Sequence, residues 1–273
     1  MILRNRRSTS LAGTLMLLAL SLATPLAGFA APASPTKPTV VLVHGAFADS
    51  SSWNGVIDRL HADGYRVIAA PNELRSVRAD AAEVGSLLRS IPGPVVLVGH
   101  SYGGLVISAA ADGASNVKAL VFVAAFAPTA GETAAQLSGK FPGSSLGAAL
   151  APPVVLADGG KDLYIDQEKF HAQFAADVPA AQARLMAAGQ RPITEAALNE
   201  ASPASAWKTL PSWFVYGDAD LNIPAAAQAF MAERAQSRET VVVKGGSHVV
   251  MVSHPDTVVA LIEKAAKSDG GAR

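Results

Sequence analysis

The chain has 273 residues, half of them hydrophobic, with 22 basic and 22 acidic residues and no cysteine. A chain of this size builds one sizeable core unaided, and the lack of thiols excludes a disulfide framework, a cysteine nucleophile and a Cys-ligated zinc site. With no basic stripe and no interleaving of basic and aromatic residues, nucleic acid is excluded as the expected partner and a small neutral molecule is left.

The first 31 residues stand apart from the rest. Arg4, Arg6 and Arg7 precede a short apolar run over 11–22, and small residues follow around Ala27, Gly28 and Ala30. This is the pattern of a cleaved secretory signal, with cutting expected after Ala30 or Ala31. A membrane anchor is the competing reading, but it wants about 20 continuous apolar residues, and Thr14, Ser21, Thr24 and Pro25 interrupt or follow a shorter run. Arg6-Arg7 also suits a twin-arginine export signal, whereas Ser8-Thr9-Ser10 departs from its fuller pattern, so the export route stays open. Loss of the segment removes three Arg and no acid, leaving 19 basic residues against 22 acidic ones. The expected location is secreted or periplasmic, with no stable membrane insertion after cleavage; the oligomeric state is left open.

After a Pro-rich lead (Pro32, Pro35, Pro38), the apolar run 39–43 ends at His44-Gly45, as a buried parallel strand running into a loop would. Residues 49–52 offer N-capping side chains to a helical pattern carrying Trp53, Val56, Ile57 and Leu60, which Gly64 closes. A strand over 65–70 stops at Pro71. Helix over 79–88, strand over 95–98, helix over 101–111 and strand over 117–125 continue the alternation. This cadence predicts an α/β fold, a mostly parallel sheet with helices on both faces. The rhythm breaks near Pro128. From there to about Ala204, helical stretches over 167–176 and 180–188 lie among Gly- and Pro-rich turns, and an insertion of this size reads as a small helical cap, not as a loop. The sheet then resumes with a strand over 213–216, a helix over 224–235, a strand over 240–243 and a closing helix over 257–267. The chain thus divides into the signal, 1–31, and one domain, 32–273, with the cap inserted at about 128–204.

Gly99-His100-Ser101-Tyr102-Gly103 falls immediately after one strand and before one helix. A nucleophile on such a bend needs glycines beside it, because the backbone turns sharply to push the hydroxyl above the sheet. Ser101 is therefore the candidate nucleophile. Serine needs a base to take its proton, and of six histidines His248 is best placed, on the flexible loop Gly245-Gly246-Ser247 after a late strand. His254, beside Pro255, is the rival. The acid that holds the imidazole is Asp218 or Asp220, both following the strand over 213–216. The backbone N–H of Tyr102, at a helix N-terminus, is placed to receive the negative charge that grows on a carbonyl oxygen.

These motifs, with His44-Gly45-Ala46-Phe47, Gly217-Asp218-Ala219-Asp220 and Gly246-Ser247-His248, resemble those of the α/β-hydrolase superfamily, in particular small cap-bearing esterases related to plant methylesterases and hydroxynitrile lyases. The resemblance implies the α/β-hydrolase fold, a mostly parallel central sheet flanked by helices with a small helical cap inserted, and the order nucleophile, acid, histidine: Ser101, Asp220, His248. It selects Asp220 over Asp218, which then acts as a turn-former, and Ala46 as the second oxyanion donor with Phe47 as the alternative. The two leading antiparallel strands of larger relatives are expected to be missing.

No H-E-x-x-H, phosphate-loop Lys or G-x-G-x-x-G pattern occurs, so neither metal nor other cofactor is expected. Halide and epoxide hydrolases carry aspartate at the bend, where this chain has Ser101. Apolar side chains of the cap and of the loops, with Phe47, Trp53 and Tyr164 as the candidates, are expected to line a substrate pocket. The expected reaction is hydrolysis of small to medium hydrophobic carboxylic esters through an acyl-enzyme. The alternatives are a hydroxynitrile lyase or cofactor-free perhydrolase on the same triad, and a non-catalytic binding protein of this fold.

Overall fold

A computed structural model describes residues 37–269. The expected signal, its cleavage point and residues 32–36 lie outside the described residues.

Six parallel strands form the central sheet in the order β2-β1-β3-β4-β8-β9. They are β1 (Thr39–Val43), β2 (Val67–Ala70), β3 (Val95–His100), β4 (Val117–Val123), β8 (Ser212–Gly217) and β9 (Thr240–Val243). Every residue of β1, β3 and β8 is buried, as expected of strands covered on both faces, and this is why they read as unbroken apolar runs. The edge strand β9 is partly exposed instead. Helices α1 (Asn54–Ala62), α2 (Val77–Ser90), α3 (Gly103–Ala110), α9 (Ala225–Arg234), α10 (Val250–Ser253) and α11 (Pro255–Lys267) cover the sheet. Of these, α1 packs with α10 and α11, α2 with α3, and α9 against β8. Pro255 opens α11, where its missing N–H costs nothing, and the closing helix therefore begins two turn positions earlier than the sequence pattern suggests.

Between β4 and β8 lie helices α4 (Ala134–Ser138), α5 (Leu146–Ala149), α6 (Gln167–Phe174), α7 (Ala180–Gly189) and α8 (Glu195–Asn199). The cap is not helical alone. Strands β5 (Val154–Val155), β6 (Lys161–Leu163) and β7 (Ile193–Thr194) form a three-stranded antiparallel sheet in it. Strands this short carry too few residues for a period of two to show, and β5 is exposed along its length. The cap's entry and exit are laced together: Trp207 Nε1 donates to the Pro128 carbonyl (2.6 Å), Gly131 N to Ser202 O (2.9 Å) and Ser202 N to Glu132 O (2.9 Å). Glu132 also holds Arg234 of α9 through two bonds of 2.9 and 2.6 Å. Among the described residues no helix is long and apolar enough to cross a membrane.

Candidate active site

The bend after β3 is built by steric exclusion. Ser101 sits in the left-handed region at φ 53°, so it does not belong to the helix that follows, which starts at Gly103. A Cβ at Gly99 would lie 2.7 Å from Gly103 O, one at Gly103 2.6 Å from Val43 O, and one at Gly104 2.0 Å from Phe126 O. Each glycine therefore marks a place where two backbones touch. The strained serine is held by its own main chain: Ser101 N donates to Val123 O (3.3 Å), and Ser101 O accepts from Gly104 N (3.0 Å) and Phe126 N (3.2 Å).

Asp220 and His248 meet on the loops that leave β8 and β9. His248 Nδ1 lies 2.7 Å from Asp220 Oδ2, with both side chains buried. An ionised carboxylate only accepts, so Nδ1 carries the proton and Nε2 keeps the lone pair a base needs. Asp220 is fully satisfied, Oδ1 by the amides of Asn222 (2.8 Å) and Ile223 (3.0 Å), Oδ2 also by Gln228 Nε2 (2.9 Å). Asp218 turns elsewhere and accepts from Gly245 N (2.6 Å), closing the loop that leads to His248. That loop is pressed against β8 so tightly that a Cβ at Gly217 would lie 1.9 Å from Gly246 O. His100 Nε2 donates to the His248 carbonyl (3.1 Å). Complete burial, reinforced by the neighbouring His248, pushes the His100 pKa well below the ordinary histidine value, so His100 is a neutral clamp.

Two amides belong to residues that line the same space as Ser101. Among the described residues no acceptor is found for the N–H of Ala46 or of Tyr102, whereas Phe47 N donates to Arg191 O of the cap (3.0 Å). Ala46 and Tyr102 thus keep free donors beside Ser101, and Phe47 does not. The Tyr102 side chain points away, its hydroxyl donating to buried Asp80 Oδ2 (3.0 Å). Burial raises the pKa of both groups, Tyr102 being raised further by the nearby Asp80 charge.

Ser101, His248, Ala46, Phe47 and Tyr102 line one cavity of about 360 Å³, roofed by cap residues such as Leu146, Leu150, Phe174 and Leu198. Among the described residues no Lys or Arg lines it. Among the described residues no cluster of His, Cys, Asp and Glu could hold a metal ion.

The alpha/beta hydrolase family model matches residues 40–261. The chain belongs to the alpha/beta hydrolase family. This hydrolase is 27% identical over 253 residues to the alpha/beta hydrolase nvfD of Aspergillus novofumigatus, covering 84% of this chain and 97% of that protein. It is 29% identical over 260 residues to the pimeloyl-[acyl-carrier protein] methyl ester esterase of Aeromonas hydrophila, covering 83% and 94%. Among solved structures it is similar to polyneuridine aldehyde esterase, with a TM-score of 0.75 and 18% identity over 85% of this chain and all of that one (100%). The chain is thus related to small cap-bearing esterases.

Three sequence expectations sit elsewhere in this hydrolase. Trp53 is fully buried and packs edge-on against His100, with ring centroids 6.4 Å apart, rather than lining the cavity. A large apolar ring gains more by filling the core than by facing a pocket. Tyr164 also lies off the cavity, its carbonyl accepting from Ala151 N (2.9 Å) within the cap. His254 stands apart from Ser101 and lies 3.5 Å from Asp177 of the cap. The small residues of α4 and α5 that do line the cavity, Ala134, Ala135 and Gly147, carry no chemical signal in a sequence. Nor does Gln228, whose bond to Asp220 depends on a helix delivering it from eight residues away.

Proposed function

We propose that this enzyme hydrolyses small to medium hydrophobic carboxylic esters through an acyl-enzyme on Ser101. The observation that carries the reading is the cavity itself: a serine on a strained bend and an imidazole whose Nδ1 is held by a buried carboxylate open onto one apolar space. Ser101 Oγ attacks the acyl carbon while His248 Nε2 takes its proton, and Asp220 stabilises the imidazolium. The carbonyl oxygen, now negative, accepts from the amides of Ala46 and Tyr102. His248 returns the proton to the departing alcohol, and water repeats the sequence to free the acid. The apolar lining favours neutral acyl and alcohol groups. Ester cleavage is supported over cyanohydrin lysis by the likeness to the methyl ester esterase of Aeromonas hydrophila.

Short-chain p-nitrophenyl esters test this directly. Ser101→Ala and His248→Ala are each expected to lower kcat by about 10³-fold or more, and Asp220→Asn to approach the same loss. Turnover that survives Ser101→Ala intact would remove the acyl-enzyme from the reaction.

We also propose that the enzyme acts outside the cytoplasm after losing residues 1–31. The support is the tripartite pattern of Arg4 to Ala31. Fractionation with N-terminal sequencing is expected to find a chain starting at Ala31 or Pro32 in the periplasm or medium; an intact Met1 retained in the membrane would contradict it.

A further inference from the structure

Ser247, the residue before His248, is buried, and its hydroxyl donates to Asp177 Oδ1. Asp177 belongs to the cap, in the turn between α6 and α7. Its other oxygen, Oδ2, is buried without a hydrogen bond, 3.5 Å from His254 Nδ1. The turn is itself fixed, Val178 N donating to Ala175 O (3.0 Å) and His171 Nε2 to Val178 O (2.8 Å). Three residues earlier, the Phe174 ring stands 5.0 Å from the His248 ring. One short stretch of cap therefore grips both the imidazole and the residue that precedes it. The chain entering Ser247 is Gly245-Gly246, fixed on its sheet side by Gly246 N donating to Val243 O (3.1 Å) and Gly246 O accepting from Ala219 N (3.1 Å), and Asp177 adds a hold on the same loop from the cap side.

We propose that Asp177 is a positioning residue: by accepting from Ser247 it ties the cap to the loop that carries His248, so that His248 is competent only when the cap is seated. The inference rests on the serine-hydrolase reading above. No atom of Asp177 touches the substrate cavity. It acts by holding the base within the small distance tolerance that proton transfer from Ser101 demands, where misplacement by about 1 Å costs on the order of 100-fold.

The test follows the rate at which an organophosphate modifies Ser101, alongside kcat and KM for a p-nitrophenyl ester, in the full-length protein. Asp177→Ala is expected to slow both Ser101 modification and kcat by about tenfold or more with KM within about twofold, since the loss is one of base geometry. Asp177→Asn keeps an acceptor for Ser247 and is expected to recover most of the rate. Ser247→Ala should match Asp177→Ala, and the double variant should lose no more than either single one. Wild-type modification rates in Asp177→Ala, or losses that multiply in the double variant, overturn the proposal, as does a rise in KM with kcat unchanged. If Asp177→Ala does not fold, Ser247→Ala decides: unaltered modification of Ser101 in that variant overturns the proposal as well. If Ser101 is modified rapidly but no ester turns over, the esterase reading fails while the modification rates still judge Asp177.

Discussion

His100 occupies the middle of the site without a part in proton transfer. Its Nε2 holds the His248 carbonyl (3.1 Å), its Nδ1 is buried with no partner, and its ring lies 4.8 Å from that of His248. A second cation there would meet an imidazolium formed during turnover, so neutrality suits the position. The depressed pKa has a thermodynamic sign. The unfolded chain binds a proton at His100 near pH 6.5 while the folded chain still refuses it, so the contribution is whole above pH 6.5 and is lost as pH falls toward the folded value. Buried His44, shifted the same way by burial, adds to the slope. Urea unfolding between pH 7 and pH 5 is expected to show stability falling, with His100 supplying at most about 1.4 kcal/mol per pH unit. The variant His100→Gln should show a visibly shallower slope; an equal slope would mean that His100 takes up its proton in the folded state. Nothing in Gly-His-Ser-Tyr-Gly distinguishes this clamp from a substrate contact, because its partner lies 148 positions away in the chain.

At the scale of elements, the strand-bend-helix unit around Ser101 was the most legible part of the chain. Its signal is local: three glycines at fixed spacing about a serine, bounded by an apolar run and a helical pattern. The structure gives the physical reason, since each glycine answers a backbone approach that no side chain survives. Gly104→Ala, whose added carbon would sit 2.0 Å from Phe126 O, is expected to cost more than about 3 kcal/mol or to prevent folding. Gly189→Ala, at the end of α7 with open space around it, is expected to be neutral or stabilising by up to about 1 kcal/mol. Calorimetry on the two variants checks the contrast, and a well-folded Gly104→Ala protein would show that the bend has slack. The cap was far less legible. Its strands are two or three residues long and its helices α4, α5 and α8 at most five, too short for either periodicity to emerge, and its hold on the core runs through contacts between residues far apart in the chain. Arg75 with Asp162, and Glu200 with the Val77 amide (2.6 Å), join segments 87 and 123 residues apart.

For the whole molecule, the sheet order and the arrival of Ser101 and His248 at a shared cavity, with Asp220 buried against the imidazole, follow from successive parallel crossovers, which deliver the loops after β3, β8 and β9 to one end of the sheet. That much is encoded in chain order. The pocket wall is not, since it is drawn from small and apolar residues of the cap and from Asn222 and Ile223, whose side chains suit a core as well as a cleft. The roots of the cap offer a last lesson. Because Pro128, Gly131 and Glu132 are knotted to Trp207 and Ser202, the insertion leaves the sheet and returns to it through one closed collar. A lid rooted in this way is expected to behave as a cassette: a gene exchange that replaces everything inside the collar would swap the substrate chamber and spare the strands beneath, provided the newcomer brings carboxylates to stand where Asp162, Asp177 and Glu200 do.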